Sequence, residues 1–551
     1  MKYNQNITIY QIYPKSFYDT DGDGLGDLNG VREKLSYLRE LGVDCIWITP
    51  FFPSHQYDNG YDVDDYTAIN PSFGTMEIFE SLVQEAKDLN MGIMLDMVFN
   101  HTSIHHEWFQ KALAGDPYYQ DFYYFRKGKN GGPPTNWESK FGGNAWEYVE
   151  ELDLYYLHLY HTNQADLNWH NPNVRNELKK VIEFWIDKGV VGFRFDVINV
   201  IGKPEGEFQD DFEGDGRRFY TDGPNAEKFI EELVRDTRLS DMITVGEMSS
   251  TSPEACIRYT SDDRPSLSMV FSFHHLKVDY PGGEKWKLMK PDIKKLQELF
   301  DEWQVKLQEG GGWSAWFWNN HDQPRSISRF GKEKESFLQR GKMLANVIQF
   351  LRGTPYIYQG EEIGMTNGDF RTIEDFNDVE SHNYYRILQE RGLSEEEALH
   401  IVKERSRDNG RTPVQWSGEK NSGFTTGEPW LKVNENYKEI NVEEALKDPD
   451  SLFYHYQKLI ALRKEYPIIG EGEYGKVPSL GEKIIAHLRI LGEEKLLVLH
   501  NFSGESEGVH LPEDLAEEFQ NSKIMLGNYP REIFEKTLVL SPYESVIFHK
   551  E

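Results

Sequence analysis

The acidic residues of this chain fall at telling places relative to its apolar runs. Asp96 lies in GIMLDMVF (92–99), Asp196 near the end of VVGFRFDV (190–197), and Glu247 at the end of MITVGEM (242–248). Asn320-His321-Asp322 overlaps and directly follows WSAWFWNN (313–320). Strand alternation sets Gly192, Arg194 and Asp196 on one face and Phe193, Phe195 and Val197 on the other. Taken singly, each has a plain structural explanation. An Arg and an Asp two apart can be an ion pair that only holds the fold, a Glu at a strand end can be solvated, and Asn-His-Asp can be a loop tripeptide. Four strands delivering acids to one rim are harder to explain that way. Carboxylates converging on one rim are equipment for proton transfer and for stabilising charge at a reacting centre.

Those runs belong to a longer series. ITIYQIYP (7–14) and VDCIWITP (43–50) precede them, LSMVFSFH (267–274) falls between, and PYIYQG (355–360) closes the set at eight. Between strands, segments such as VREKLSYLRELG and EIFESLVQEAKDLN have helical periodicity and end near Gly or Asn. The pattern predicts an α/β fold, a TIM (β/α)₈ barrel, whose active sites collect at the carboxyl ends of its strands. Residues 101–170 break the alternation with Gly-, Pro- and aromatic-rich sequence, read as a loop-rich subdomain inserted after strand 3. Beyond about 475, KIIAHLRI, KLLVLHNF, TLVLSPY and SVIFHK read as a C-terminal antiparallel β-domain. The expected division is therefore 1–100 with 171–475 as barrel, 101–170 as insert and 476–551 as a sandwich-like β-domain. The polar stretch 366–412 reads as an elaborated loop after strand eight.

The ordered motifs DMVFNH (96–101), QADLN (164–168), GFRFD (192–196), GEM (246–248) and NNHDQPR (319–325) resemble those of the α-amylase family of glycoside hydrolases. GTPYIYQGEEIGM (353–365) and RDNGRTPVQW (407–416) resemble its oligosaccharide-specific branch, and the resemblance runs over nearly the whole chain. Ala165 departs from the usual Pro there, away from the chemistry. The resemblance implies a retaining α-glucoside hydrolase with Asp196 as nucleophile, Glu247 as general acid and base, and Asp322 as stabiliser of the transition state. In retaining enzymes the two principal carboxyl groups stand about 5–5.5 Å apart. It further implies Arg194 as the group orienting Asp196, and His101 and His321 as ligands of sugar hydroxyls. Asp58 would wall in the terminal glucose with either Arg407 or Arg411, Arg407 being favoured, and Tyr61 would stack on the ring. A barrel kept only as an interaction module would be expected to have lost an acid; none is missing here.

DTDGDGLGD (19–27) sets Asp19, Asp21 and Asp23 at alternate positions, followed by Gly24, Leu25 and Asp27. The loop resembles the start of an EF-hand, although Gly30 replaces the closing Glu, and related glucosidases hold calcium there. A structural calcium ion on Asp19, Asp21, Asp23, the Leu25 carbonyl and Asp27 is the expectation, with no organic cofactor. Segments 213–225 and 271–290 resemble the trehalose-6-phosphate-hydrolysing members of the family more than its oligo-1,6-glucosidases, which remain the alternative. The second segment carries Lys277, Lys285, Lys287 and Lys290. Lys277, then Lys285, with His274, are the candidates to hold a phosphate.

Composition sets the remaining bounds. A net charge of −32 argues against nucleic acid and anionic membranes as partners, and an anionic disaccharide phosphate would need a local basic patch. Cys45 and Cys256 give no disulfide framework, no run of eighteen apolar residues exists, and the start lacks a signal-peptide pattern. A cytoplasmic monomer or weak homo-oligomer is expected.

Overall fold

A computed structural model of the chain describes residues 6–261, 266–531 and 533–551. Eight parallel strands form the barrel: β1 (Ile9–Ile12), β2 (Cys45–Ile48), β3 (Gly92–Met97), β4 (Gly192–Phe195), β5 (Ile243–Glu247), β6 (Met269–Phe271), β7 (Ala315–Trp316) and β8 (Thr354–Tyr358). Each pairs with its neighbours in chain order, and β1 pairs β8 with Ile9 opposite Tyr356. Between β6 and β7 the wall is closed by a single bridge, Val270 to Ser314.

Helices cover the outside because their apolar residues recur on one face. Ile293–Glu309 buries Leu296, Phe300, Trp303 and Leu307, and the Asp292 side chain caps its first turn by accepting from the Lys295 N–H. Pro172–Asp187 begins with Pro at a position whose N–H would be unpaired in any case, behind an Asn171 cap.

Two of the strands are shorter than the apolar runs imply. β4 ends at Phe195 because Val197 adopts φ +38°, a left-handed conformation that a β-branched residue takes only under tertiary constraint. The Asp196 N–H still donates to the Met97 carbonyl (3.0 Å), so Asp196 sits just past the strand end, fixed to β3. β7 ladders only over Ala315–Trp316, and the chain then leaves the sheet carrying Asn319 to Asp322. Glu361, after β8, accepts from Asn319 (2.6 Å) and from Tyr456 (2.6 Å), which ties the exits of β7 and β8 to the helix Leu452–Glu465.

The inserted segment holds a three-stranded antiparallel sheet (Phe125–Arg126, Leu154–Leu157, Trp146–Val149) and a short ladder of His101–Ser103 with Gln164–Asp166. Its core, with Trp137, Trp146 and Leu157, packs against Val200, Phe208 and Tyr220 beyond β4. The stretch after β8 folds into helices Val379–Glu390 and Glu395–Arg405 over a small core of their own. At the C-terminus β9 (Glu473–Lys476), β10 (Ile484–Leu491), β11 (Glu494–Asn501), β12 (Lys523–Gly527) and β13 (Ser545–Lys550) form an antiparallel sheet in the order β9-β10-β11-β13-β12. No helix of the described residues is long and apolar enough to cross a membrane.

Candidate active site

Arg194 is the hub of the barrel's carboxyl end. It is 1% exposed, and its Nη1 donates to Asp96 (2.5 Å) and to Asp196 (2.7 Å), while Nη2 donates to Glu247. Its guanidinium lies over the Trp47 ring (5.1 Å). Alternation on β4 thus aims Arg194 inward, β3 supplies Asp96 and β5 supplies Glu247. Asp96 also accepts from Tyr61 (2.9 Å) and Trp47 (3.2 Å). Burial, reinforced by Asp196, raises Asp96 to about 7 against the pull of Arg194. Glu247 is raised well above the usual carboxylate range: burial is the main cause, and Asp196, Asp322 and Asp96 add to it, against Arg194. A carboxyl that stays protonated is what a proton donor needs.

Asp322 goes the other way. Burial opposes its charge, but the His321 N–H (3.1 Å) and the guanidiniums of Arg407 (3.2 Å) and Arg411 (3.0 Å) hold its carboxyl well below the usual range. Burial pushes His321 down to about 3, so the imidazole is neutral; Nδ1 accepts from Gln11 (2.8 Å) and Nε2–H faces Asp322. Tyr61 stacks flat on the His321 ring, 5.1 Å between centroids. His101, also kept neutral by burial, donates from Nε2 to the Tyr61 carbonyl (3.0 Å).

Of the expected set, Asp58, Tyr61, His101, Asp196, Glu247, Asp322 and Arg407 line one pocket of about 320 Å³, whereas the buried Arg194 and His321 do not line it. Of the two candidate arginines it is Arg407 that faces the pocket and reaches Asp58 (3.2 Å). Arg411 is buried behind it, held on the His321 carbonyl (2.8 Å) and Asp322. Burial raises Asp58 to about 7 against Arg407 and Arg411.

The domain matches confirm what this geometry resembles. An alpha-amylase catalytic domain matches residues 11–472, and the C-terminal domain of the alpha-amylase SusG matches 484–547. The chain belongs to the α-amylase family. Within the family it is 50% identical over 547 residues to the trehalose-6-phosphate hydrolase of Bacillus subtilis, covering 99% of this chain and 97% of that one. It is 44% identical over 548 residues to the oligo-1,6-glucosidase of Bacillus cereus, covering 98% of each. The crystal structure of Bacillus licheniformis trehalose-6-phosphate hydrolase superposes with a TM-score of 0.94 at 52% identity over 99% of both chains.

Of the phosphate candidates, Lys277 and Lys285 line the same pocket, whereas His274 does not. The His274 ring packs on Trp303 (5.0 Å) and burial takes it down to about 4, so it offers no cation. Lys285 is ion-paired with Glu380 (2.6 Å). Lys287 and Lys290 are exposed, Lys287 paired with Glu284. Three pocket features have no counterpart in the sequence reading. Lys140 of the insert and Glu380 both line it, and Asp378 lies behind Arg407, accepting from Nη2 (2.6 Å) and Nε (3.0 Å). Asp378 also caps helix Val379–Glu390, which a capping signal reveals, but its partner 29 residues on is visible only in three dimensions.

In the acidic loop, Asp19, Asp21 and Asp27 each offer an oxygen within 4.8 Å of the others. Asp23 stands apart from that trio and accepts from the Leu25 N–H (2.8 Å). Gly24 is obligatory at the turn: its φ is +95°, and a Cβ would lie 1.9 Å from the Glu428 carbonyl. An all-oxygen, carboxylate-rich donor set fits a hard cation such as calcium.

Proposed function

We propose that the chain hydrolyses trehalose 6-phosphate to glucose and glucose 6-phosphate by double displacement with retention. Asp196 attacks the anomeric carbon while Glu247 gives its proton to the glycosidic oxygen; the bond from carbon to that oxygen breaks and glucose 6-phosphate departs. Glu247, now a carboxylate, takes a proton from water, whose oxygen displaces Asp196 and releases glucose. Arg194 orients Asp196, Asp322 holds sugar hydroxyls and steadies the oxocarbenium-like transition state, and Asp58 with Arg407 walls in the terminal glucose, with Tyr61, His101 and His321 around it.

The observation that carries the reading is the mixed polarity of one pocket. The acids of glycoside chemistry share it with Lys277, which forms no ion pair among the described residues, in a chain of net charge −32. An oligo-1,6-glucosidase would use the same acids but has no use for that lysine. Purified protein assayed side by side on trehalose 6-phosphate, trehalose and isomaltose tests the proposal: the first should have by far the highest kcat/KM, and a preference for isomaltose overturns it. Product analysis in the same assay shows how far sugars compete with water for the glucosyl intermediate.

A structural calcium ion on Asp19, Asp21 and Asp27, with the Leu25 carbonyl as backbone ligand, belongs to the same reading. Two buried, unpaired cysteines suit a reducing, cytoplasmic setting.

A further inference from the structure

Four cations line the pocket: Lys140, Lys277, Lys285 and Arg407. Arg407 is committed to Asp58, Asp322 and Asp378, and Lys285 to Glu380. Lys140 and Lys277 come from different parts of the chain, the insert and the segment after β6, and neither has a carboxylate partner among the described residues. Two half-buried ammonium groups facing one cavity are costly unless an anion joins them. We propose that Lys140 is a specificity-determining ligand of the substrate's phosphate, acting with Lys277 as a two-lysine clamp. This rests on the reading of the substrate as a sugar phosphate.

Lys140 is held in place by its surroundings. Its backbone N–H donates to the Leu159 carbonyl (2.8 Å), the neighbouring Ser139 hydroxyl to the Tyr160 carbonyl (2.7 Å), and its Nζ lies 5.3 Å from the Tyr220 ring centroid. The charged groups near it are Arg217, Asp215 and Lys277, and Asp215 is engaged by Arg217 itself (2.5 Å). Burial, with Arg217 next, lowers Lys140 to about 7, and burial with Arg217 also lowers Lys277. A dianion seated between the two lysines reverses that pressure, so binding at neutral pH draws a proton onto Lys140. The phosphate itself is dianionic only above its second pKa of about 6. The advantage of a phosphorylated substrate therefore peaks between about pH 6 and the pKa of Lys140 near 7 and declines above it.

The experiment compares kcat/KM for trehalose 6-phosphate and for para-nitrophenyl α-glucoside in wild type, Lys140→Met, Lys140→Arg and Lys277→Ala, across pH. Lys140→Met and Lys277→Ala should each lose about 10–150-fold on the phosphorylated sugar, the range for a hydrogen bond to a charged group, and less than about 3-fold on the aryl glucoside. Lys140→Arg should restore the preference and move its alkaline decline upward, which a lysine serving only the fold would not do. If wild type shows no preference for the phosphorylated sugar, the substrate reading fails and the clamp with it. If wild type prefers it and Lys140→Met keeps that preference, or loses both substrates equally, the clamp alone is overturned.

Discussion

Arg407 and Asp58, 349 residues apart, meet at the pocket through a 3.2 Å contact from Nη2 to Oδ1. The same guanidinium is anchored from behind by Asp378, so this part of the pocket wall is fixed by a residue that does not line the pocket. Asp58→Asn should keep the pocket's shape but lose the charged acceptor. We expect kcat/KM to fall by about 10–150-fold on trehalose 6-phosphate and on an unphosphorylated aryl α-glucoside alike. A loss confined to the phosphorylated substrate would show that the terminal glucose does not bind there.

The acids make a sharper demand. Glu247→Gln should lower kcat by at least about 10²–10⁴-fold, the usual worth of acid–base catalysis, and Asp196→Asn, which removes the nucleophile, by no less, with circular dichroism unchanged. Because two inversions give net retention, glucose should appear first as the α-anomer when turnover is followed by proton NMR. β-Glucose released first would rule out Asp196 as nucleophile.

A pH dependence of stability follows from Glu361. Burial, reinforced by Glu362, raises it to about 7 despite its bonds from Asn319 and Tyr456. The folded chain then holds a proton that the unfolded chain releases, so stability falls as pH rises from the ordinary glutamate range toward 7. Asp58 and Asp96, each raised to about 7, act with the same sign. Glu361→Gln should flatten the decline of Tm between pH 5 and pH 8 without abolishing it. A slope identical to wild type would mean that the carboxyl is not protonated in the fold.

Calcium removal should act on stability and not on the acids. At a hundredfold excess over Kd, a ligand bound only by the native state stabilises it by about 2.7 kcal/mol. Chelation should therefore lower Tm while kcat measured below the transition stays constant, and Asp19→Ala should abolish the response. An unchanged melting curve in chelator, together with no calcium by elemental analysis, would refute the site.

Much of this was legible in the sequence because the barrel repeats a simple rule. Apolar runs of the right length, with acids near their ends, located all eight strands and the convergence of Asp96, Asp196, Glu247 and Asp322. Strand ends were less legible: β4 stops where Val197 turns to positive φ, a constraint set by packing and invisible to alternation. The choice between Arg407 and Arg411 depended on which side chain faces the cavity, and the packing of His274 on Trp303, distant in sequence, was equally hidden. Lys140 carried no signal at all. A lysine in Gly-rich sequence reads as solvated until the insert folds it over the pocket.

The pairing of β1 with β8 has a consequence for how the molecule is made. Ile9 waits for Tyr356, so as the chain leaves the ribosome the outer edge of its first strand stays uncovered until more than half of the protein has been synthesised. An open, apolar strand edge is a template for wrong partners. Asp96, Asp196 and Glu247 precede β8 in the chain, and Arg407 follows it. The catalytic acids of the barrel's first five strands are thus synthesised before the edge of β1 can be covered, and the arginine of the pocket wall after it.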